Sequence, residues 1–138
     1  MTLRMGLTLF IAAAFLSQGQ ERFTAGELKG FTKSPTEHII EKLEETLVVR
    51  LVEGSVGSKS LDKPLEGVLI EIRGPGATET FRSARSDRRG RFRFRQIPDG
   101  DYTIKATMNG FRSVVGAISV RRSAKEHKRL RIDMLHGV

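Results

Sequence analysis

The chain has 138 residues, 38% of them hydrophobic and 29% charged, a composition that is typical of one folded domain and excludes a membrane bundle or a fully disordered protein. It contains no cysteine, which excludes disulfides, thiolate metal sites, cysteine nucleophiles and a lipid-anchored cysteine. Its 24 lysines and arginines exceed its 16 acidic residues, and the net charge of +8 is compatible with a partner of negative charge.

Residues 1–19 have the pattern of an export signal. Arg4 gives a positive start, an apolar run extends from Gly6 to Leu16, and small residues stand at Ser17 and Gly19 before the expected cleavage point. The run is too short to span a bilayer, for which about 20 residues are needed. We therefore predict a secreted or periplasmic protein with no membrane span after signal cleavage.

The next segment is predicted to be an arm followed by a helix. Residues 20–33 show no clear period and are interpreted as a linker or a loosely docked arm. The run from Ser34 to Glu37 has the form of a capping box with proline at the first helical position. Apolar residues then follow at helical spacing: Ile39, Ile40, Leu43 and Leu47. The pattern predicts an amphipathic helix over 34–45.

Short strands are predicted in the remainder, 46–138. Residues 46–53 are β-branched and apolar, as in a first strand, and the Gly- and Ser-rich run 54–63 indicates a loop. Six further candidate strands follow: 67–73, 78–86, 91–95, 102–108, 111–122 and 129–135. Seven short strands separated by turns predict an all-β fold, a β-sandwich.

The most informative stretch is the one between Ser86 and Phe111. Phe92 and Phe94 alternate with Arg91, Arg93 and Arg95, so the phenylalanines face one side of a strand and the arginines the other. The residues from Asp87 to Gly90 suit a type I turn before this strand. After a turn at 98–100 the alternation returns, with Tyr102, Ile104, Ala106 and Met108 opposite Thr103, Lys105 and Thr107.

These residues resemble the carboxypeptidase regulatory-like domain. The resemblance rests on the segment from Pro64 to Val68 before an alternating strand, and on turn and core residues further along, and it covers about 47–135. Its fold signature consists of Gly67, Asp87, Gly90, Phe92, Phe94, Pro98, Gly100, Tyr102, Gly110 and Phe111. The resemblance implies a seven-stranded, Greek-key, transthyretin-like (prealbumin-like) β-sandwich, a fold often grouped with carbohydrate-binding-like folds.

The resemblance does not imply an enzyme activity, because in carboxypeptidases this module is an appendage of the zinc-containing catalytic domain. His38 and Glu41 do form an H-x-x-E pair like the one that supplies two zinc ligands there, but a zinc site needs a third ligand and a shaped cavity. No nucleophile, acid and base can be combined from the residues present. We therefore predict no catalytic residue, no metal and no cofactor, and a hydrolase ranks last among the candidate functions.

The arginines are the one feature that indicates binding. Seven of them lie between residues 82 and 95. If the phenylalanines face the core, Arg91, Arg93 and Arg95 project from one sheet face, with Arg88 and Arg89 at its end. Guanidinium groups bind carboxylates, sulfates and phosphates through paired donors. The face is either an anion-binding surface or a solvated surface whose arginines pair with acidic neighbours such as Glu71, Glu79 or Asp101.

The expected function is that of a secreted, non-catalytic module with a structural or adhesive role at the cell envelope. The alternative is a module that binds an anionic or neutral glycan, through the arginine-rich face or through loops at 74–78 and 98–101. The expected partner is an envelope protein or a glycan. Nucleic acid is disfavoured because alternation sends the aromatic rings away from the arginines. We expect a monomer.

Overall fold

The computed structural model describes residues 28–37, 39–74 and 81–137, and the predicted export signal lies outside these ranges. The described part contains ten strands and no helix. The strands are β1 (Glu41–Lys42), β2 (Leu47–Val49), β3 (Val52–Ser58), β4 (Lys63–Pro64), β5 (Leu69–Arg73), β6 (Phe81–Arg85), β7 (Arg91–Phe94), β8 (Gly100–Thr107), β9 (Val114–Val120) and β10 (Leu130–Met134).

The strands form two sheets. Sheet A has the order β1-β9-β8-β5-β6, and β2 also pairs with β9. Sheet B has the order β10-β3-β4, and β7 pairs with the same strand β3. Seven of the described strands have four or more residues, and the other three are short edge pieces. The architecture confirms the predicted all-β sandwich.

The core lies between the two sheets and is built by alternation along each strand. In sheet B, Val52 and Val56 of β3 are nearly fully buried, and so are the two phenylalanines of β7. The matching inner residues of β10 are Leu130, Ile132 and Met134. Successive side chains of a strand point to opposite faces. The residues that alternate with these buried side chains therefore lie on the outer face of sheet B.

The predicted loop over 54–63 is wrong for its first half, because β3 continues to Ser58. Its glycines are strand residues that permit close approach of a neighbouring strand. A Cβ added at Gly54 would lie 2.1 Å from the carbonyl oxygen of Leu130 on β10. Glycine is therefore required here by packing and does not mark a turn. The loop between β3 and β4 is correspondingly short, at residues 59–62.

The predicted helix over 34–45 is also wrong for the described residues of that segment. Residues 35 and 36 form a turn, and Glu41 and Lys42 form β1, which pairs in parallel with β9. The Ser34 hydroxyl accepts from the backbone N–H of Thr36, and Ile39 is exposed. A helix of about three turns is marginal in water without tertiary packing, and pairing with the edge of sheet A replaces it here.

Residues 28–37, which we call the strap, lie across the outer face of sheet A. Thr32 donates to the Glu71 carboxylate from its backbone N–H and its hydroxyl, at 3.0 and 3.1 Å. Arg73 donates to the carbonyl oxygen of Lys29 at 3.0 Å, and Phe31 is buried. The strap thus covers a polar sheet face that alternation alone assigns to solvent. Within the residues that the structure describes, no helix is long and apolar enough to cross a membrane.

Candidate functional site

The outer face of sheet B, which we call the arginine face, carries the arginine run. On β7, Phe92 and Phe94 point into the core and are each 4% exposed, while Arg91 and Arg93 point outward and are exposed. The two phenylalanine rings contact edge to face, with centroids 6.5 Å apart. This packing fixes the side of the sheet from which the arginines project.

Pairing with β3 places acidic and small residues beside the arginines. The register sets Arg93 opposite Glu53, and Arg91 opposite Ser55. On the other side of β3, β10 runs parallel and sets Arg131 beside Ser55. Because neighbouring strands are about 4.8 Å apart, the two arginines that flank Ser55 stem from backbones about 10 Å apart.

A second row is parallel to the first. Arg129 lies one residue before β10, and its Nε is 3.7 Å from Glu53 Oε2. Arg93 Nε is 3.9 Å from the other oxygen of the same carboxylate. The face therefore has one row of Arg91, Ser55 and Arg131 and another of Arg93, Glu53 and Arg129. Four arginines thus surround a floor made by β3.

Residues of this face line two recesses. The first has a volume of about 350 Å³, extends past β7 to β6 and lies around Glu53. The second has a volume of about 300 Å³ and has Ser55 and Gly57 in its floor. Seven cationic side chains line the two recesses: Lys63, Arg85, Arg89, Arg91, Arg93, Arg129 and Arg131. Only three acidic residues, Glu53, Asp62 and Asp87, line them within the described chain, so the surface favours anions.

Glu53 is the acidic centre of the first recess and is only 15% exposed. His127 donates a hydrogen bond from Nε2 to its carboxylate. This hydrogen bond is the main cause that holds the pKa of Glu53 below its ordinary value; partial burial opposes it, and the charges of Arg129 and Arg93 add to it. Glu53 therefore remains ionised and acts as an internal counter-ion for two arginines.

The turn before β7 positions Arg89 at the edge of the face. Asp87 Oδ1 accepts from the backbone N–H groups of Arg89 and Arg91, both at 2.9 Å. The hydrogen bond from Arg91, followed by that from Arg89, holds the pKa of Asp87 below its ordinary value. Gly90 closes the turn with φ of +74°, a conformation that favours glycine. Arg89 thereby lies beside the second recess.

The remaining predicted residues of the run lie nearer the margin of the face. Arg88 is exposed in the turn, and Arg95 is exposed beyond β7. The carbonyl oxygen of Arg95 accepts from Arg82 of β6 at 2.9 Å. Neither Arg88 nor Arg95 lines the two recesses. The arginine run is thus divided by the strand and turn geometry into central and peripheral members.

The acidic neighbours suggested by the sequence are not the partners of this face. Glu71 is buried beneath the strap, where it accepts from Thr32. Asp101 accepts from Ser119 and from Arg121, at 2.8 and 3.1 Å. Glu79 lies outside the described residues. The acid that contacts the arginines, Glu53, comes from the first predicted strand, and its register with β7 could not be deduced from spacing.

The loop at 98–101, the alternative glycan site, uses its polar atoms internally. The Tyr102 hydroxyl donates to the carbonyl oxygen of Pro98 at 2.7 Å. Asp99 Oδ1 accepts from the backbone N–H of Arg122 at 3.1 Å. These contacts engage the Pro98 carbonyl oxygen and one oxygen of Asp99 within the protein. The other candidate loop, 74–78, lies outside the described residues beyond Gly74.

The H-x-x-E pair does not form a metal site among the described residues. His38 lies outside the described residues, and Glu41 forms an ion pair with Arg112 at 3.0 Å. Across residues 28–37, 39–74 and 81–137, no three histidine, aspartate or glutamate side chains cluster in a way that could hold a metal ion. Glu41 thus has a structural contact at the edge of sheet A.

Comparison with known proteins connects this geometry to a family. The sequence profile of the carboxypeptidase regulatory-like domain matches residues 52–134, which include the strands that form the arginine face. The chain belongs to the carboxypeptidase regulatory-like domain family. No curated protein sequence matches the chain. Members of the family are β-sandwich modules that are generally non-catalytic.

The signature residues of the regulatory-like domain lie at turns and in the core. Gly67 and Gly110 have positive φ angles, and Gly100 begins β8. Phe111 is buried and stacks on the ring of His136, and Pro98 is exposed. The strap, β1 and β2 precede the residues that the family profile matches. These elements therefore lie outside the part of the chain that the family profile matches.

Some site residues were not predicted, although the sequence contains a signal for them. Arg129 and Arg131 alternate with buried residues of β10, which is the signal of an outward-facing position. Ser55 and Gly57 gave no such signal, because they were placed in a loop. The site is completed only by the parallel pairing of β3 with β10, which joins residues far apart in the chain.

Proposed function

We propose that this chain is an exported, non-catalytic binding module that attaches to an anionic polysaccharide of the cell envelope through the arginine face. One observation carries the proposal: two cross-strand rows of arginines flank the outer side of β3, where the half-buried Ser55 and the buried Gly57 follow Glu53 and carry no charge. An adhesive role at the envelope follows from attachment to such a polymer.

Charge and geometry support binding of sulfate, phosphate or carboxylate groups. Arg91 and Arg131 flank Ser55, and no acidic side chain of β3 stands between them. Guanidinium groups present paired N–H donors that match these anions. Arg131 does contact Asp133, at 3.2 Å, but both side chains are well exposed, and an exposed pair of this kind is exchanged at little cost.

A polysaccharide is favoured over nucleic acid by the position of the aromatic rings. Proteins that bind single-stranded nucleic acid stack bases on exposed aromatic side chains. Among the described residues that line the two recesses, the one aromatic side chain, Phe92, is buried in the core. Recognition on this face therefore depends on charge and hydrogen bonds. The export signal predicted at residues 1–19 also favours a polymer found outside the cytoplasm.

Isothermal titration calorimetry with a sulfated polysaccharide and its unsulfated parent tests the proposal. The wild type should bind only the sulfated polymer, with an affinity that falls as salt rises, because binding releases counter-ions. The double variant Arg91→Gln/Arg131→Gln should bind at least about tenfold more weakly, since each arginine makes hydrogen bonds to a charged group.

The matched control is Arg122→Gln/Lys125→Gln, which removes the same charge from exposed positions after β9, outside both recesses. This control should retain most of the wild-type affinity. Equal losses in the two double variants would show attraction by net charge alone and would contradict a site on the arginine face. Equal binding of the unsulfated parent would contradict the charge-based mode.

A further inference from the structure

The floor of the arginine face is elongated. Glu53, Ser55 and Gly57 follow one another on the outer side of β3. At about 3.3 Å per residue, they extend over about 13 Å, while the flanking strands stand only about 10 Å apart. The two recesses share this line, the first at Glu53 and the second at Ser55 and Gly57.

The walls along this line are mainly cationic, although Asp133 stands beside Gly57 on the β10 side and contacts Arg131 at 3.2 Å. Arg89, Arg91 and Arg93 stand on the side of β7, and Arg129 and Arg131 stand on the side of β10. Residues two apart on a strand are about 7 Å apart, so successive arginines of one wall repeat at this distance. A single compact anion reaches one cross-strand row, whereas an extended chain of anionic groups reaches both.

The two rows differ in one respect. The row at Ser55 has no acid in its floor, whereas the row at Glu53 already holds a carboxylate that contacts Arg93, Arg129 and His127. This carboxylate occupies the position of an anionic group between two arginines. The row at Ser55 can therefore accept an anionic group of a ligand, whereas the row at Glu53 is already occupied by the protein's own carboxylate.

We infer that the arginine face holds one linear anionic polysaccharide lengthwise along β3, with Glu53 in the place that one ligand anion would otherwise occupy. This inference rests on the proposed function and adds a ligand shape, an orientation and a specificity-determining residue. Removal of the Glu53 charge opens the second row and strengthens binding. An acid placed at Ser55 closes the first row and weakens binding.

The test uses inorganic sulfate and sulfated oligosaccharides of increasing length, from a disaccharide to a dodecasaccharide, measured by calorimetry at one ionic strength. Affinity should rise steeply until the chain covers the floor of about 13 Å and then level off. Glu53→Gln should raise the affinity for the longer chains severalfold, and Ser55→Glu should lower it at least about tenfold, in line with the energy of a charged hydrogen-bonded contact.

Ser123→Glu is the matched control for Ser55→Glu, because Ser123 is exposed and lies outside both recesses. Circular dichroism of each variant checks that the sandwich has folded. Inorganic sulfate that binds as tightly as the long oligosaccharides would overturn the lengthwise mode and leave the proposed function standing. Absence of binding to every anion would overturn the proposed function itself.

Two further results would overturn the inference specifically. An unchanged or reduced affinity of folded Glu53→Gln for the long chains would show that the Glu53 carboxylate does not occupy a ligand position. Equal or tighter binding of a single-stranded oligonucleotide with the same number of charges would show that the groove does not select a polysaccharide.

Discussion

Lys105 Nζ lies 3.0 Å from Glu37 Oε2, and this contact fastens the strap to sheet A. The Lys105 side chain is 1% exposed and that of Glu37 is 9% exposed. The same ammonium group donates to the carbonyl oxygen of Thr32 at 2.6 Å, and the Ser113 hydroxyl donates to Glu37. A lysine that strand alternation assigns to solvent is thus one of the most buried residues of the chain.

Removal of the Glu37 carboxylate should leave the buried ammonium group of Lys105 without its charged partner. We expect Glu37→Ala to lower the free energy of unfolding by about 3–5 kcal/mol, the range for breaking a buried ion pair by truncating one side. Urea denaturation measures the change. Glu45→Ala, at an exposed position between β1 and β2, should change the free energy of unfolding by less than about 0.5 kcal/mol. Equal effects would mean that the strap does not depend on the pair.

Truncation of a core ring should be costly in sheet B. Phe94 is 4% exposed and contacts Phe92, so Phe94→Ala should lower the free energy of unfolding by about 3–5 kcal/mol through lost burial and a new cavity. Arg93→Ala, on the opposite side of the same strand, is the control and should cost less than about 1 kcal/mol. A loss below about 1 kcal/mol for Phe94→Ala would place the ring outside the core.

Alanine substitutions at two glycines distinguish the cost of backbone strain from the cost of a steric clash. Gly90 and Gly67 have similar φ angles, +74° and +82°. A Cβ at Gly90 would lie 2.3 Å from the carbonyl oxygen of Val56, whereas a Cβ at Gly67 would have nothing within 4 Å. Gly67→Ala should cost about 1–2 kcal/mol from φ alone, and Gly90→Ala about 1–3 kcal/mol more. Equal costs in thermal or urea denaturation would contradict the tight packing of this turn.

The lowered pKa of Glu53 predicts a specific acid sensitivity. The unfolded chain takes up the proton at the ordinary glutamate pKa of about 4.3, and the folded chain takes it up only at lower pH. The stabilising contribution is therefore complete above the ordinary pKa and is lost as pH falls through the lower pKa of the folded state. Urea denaturation at a series of pH values from 7 to 3 measures the effect. The free energy of unfolding should fall less over this range in Glu53→Gln than in wild type.

Glu126→Gln, at an exposed position outside the recesses, is the control for this series and should follow the wild-type pH profile. Parallel profiles of Glu53→Gln and wild type would contradict the role of the Glu53 carboxylate as a partner of His127, Arg93 and Arg129.

The sandwich was predictable because local patterns carry its strands and turns. Alternation in the strand of Phe92 and Phe94, and the turn residues Asp87 and Gly90, need only short-range information. Gly54 misled the prediction, since glycine marks turns more often than close strand packing. The residues over 34–45 have the local pattern of a helix. The structure has a strand there instead, because pairing with β9 outweighs the local preference.

The candidate site was predictable only in part. The exposed position of Arg91, Arg93 and Arg95 follows from alternation, but their neighbours depend on the register of β3 with β7 and β10. The burial of Lys105 depends on the strap, whose contacting residue Glu37 is 68 positions away in the chain. No periodicity within a single strand contains such information.

The outer face of sheet B is the proposed binding site for an anionic polysaccharide. Amide chemical-shift mapping of the ¹⁵N-labelled protein, titrated with a sulfated oligosaccharide, locates the site that the ligand contacts. We expect the largest shifts on β3, β7 and the start of β10, around Ser55, Arg91 and Arg131, and we expect them to weaken as salt rises. Shifts centred on the strap, or on the loop at 98–101, would contradict the proposed site.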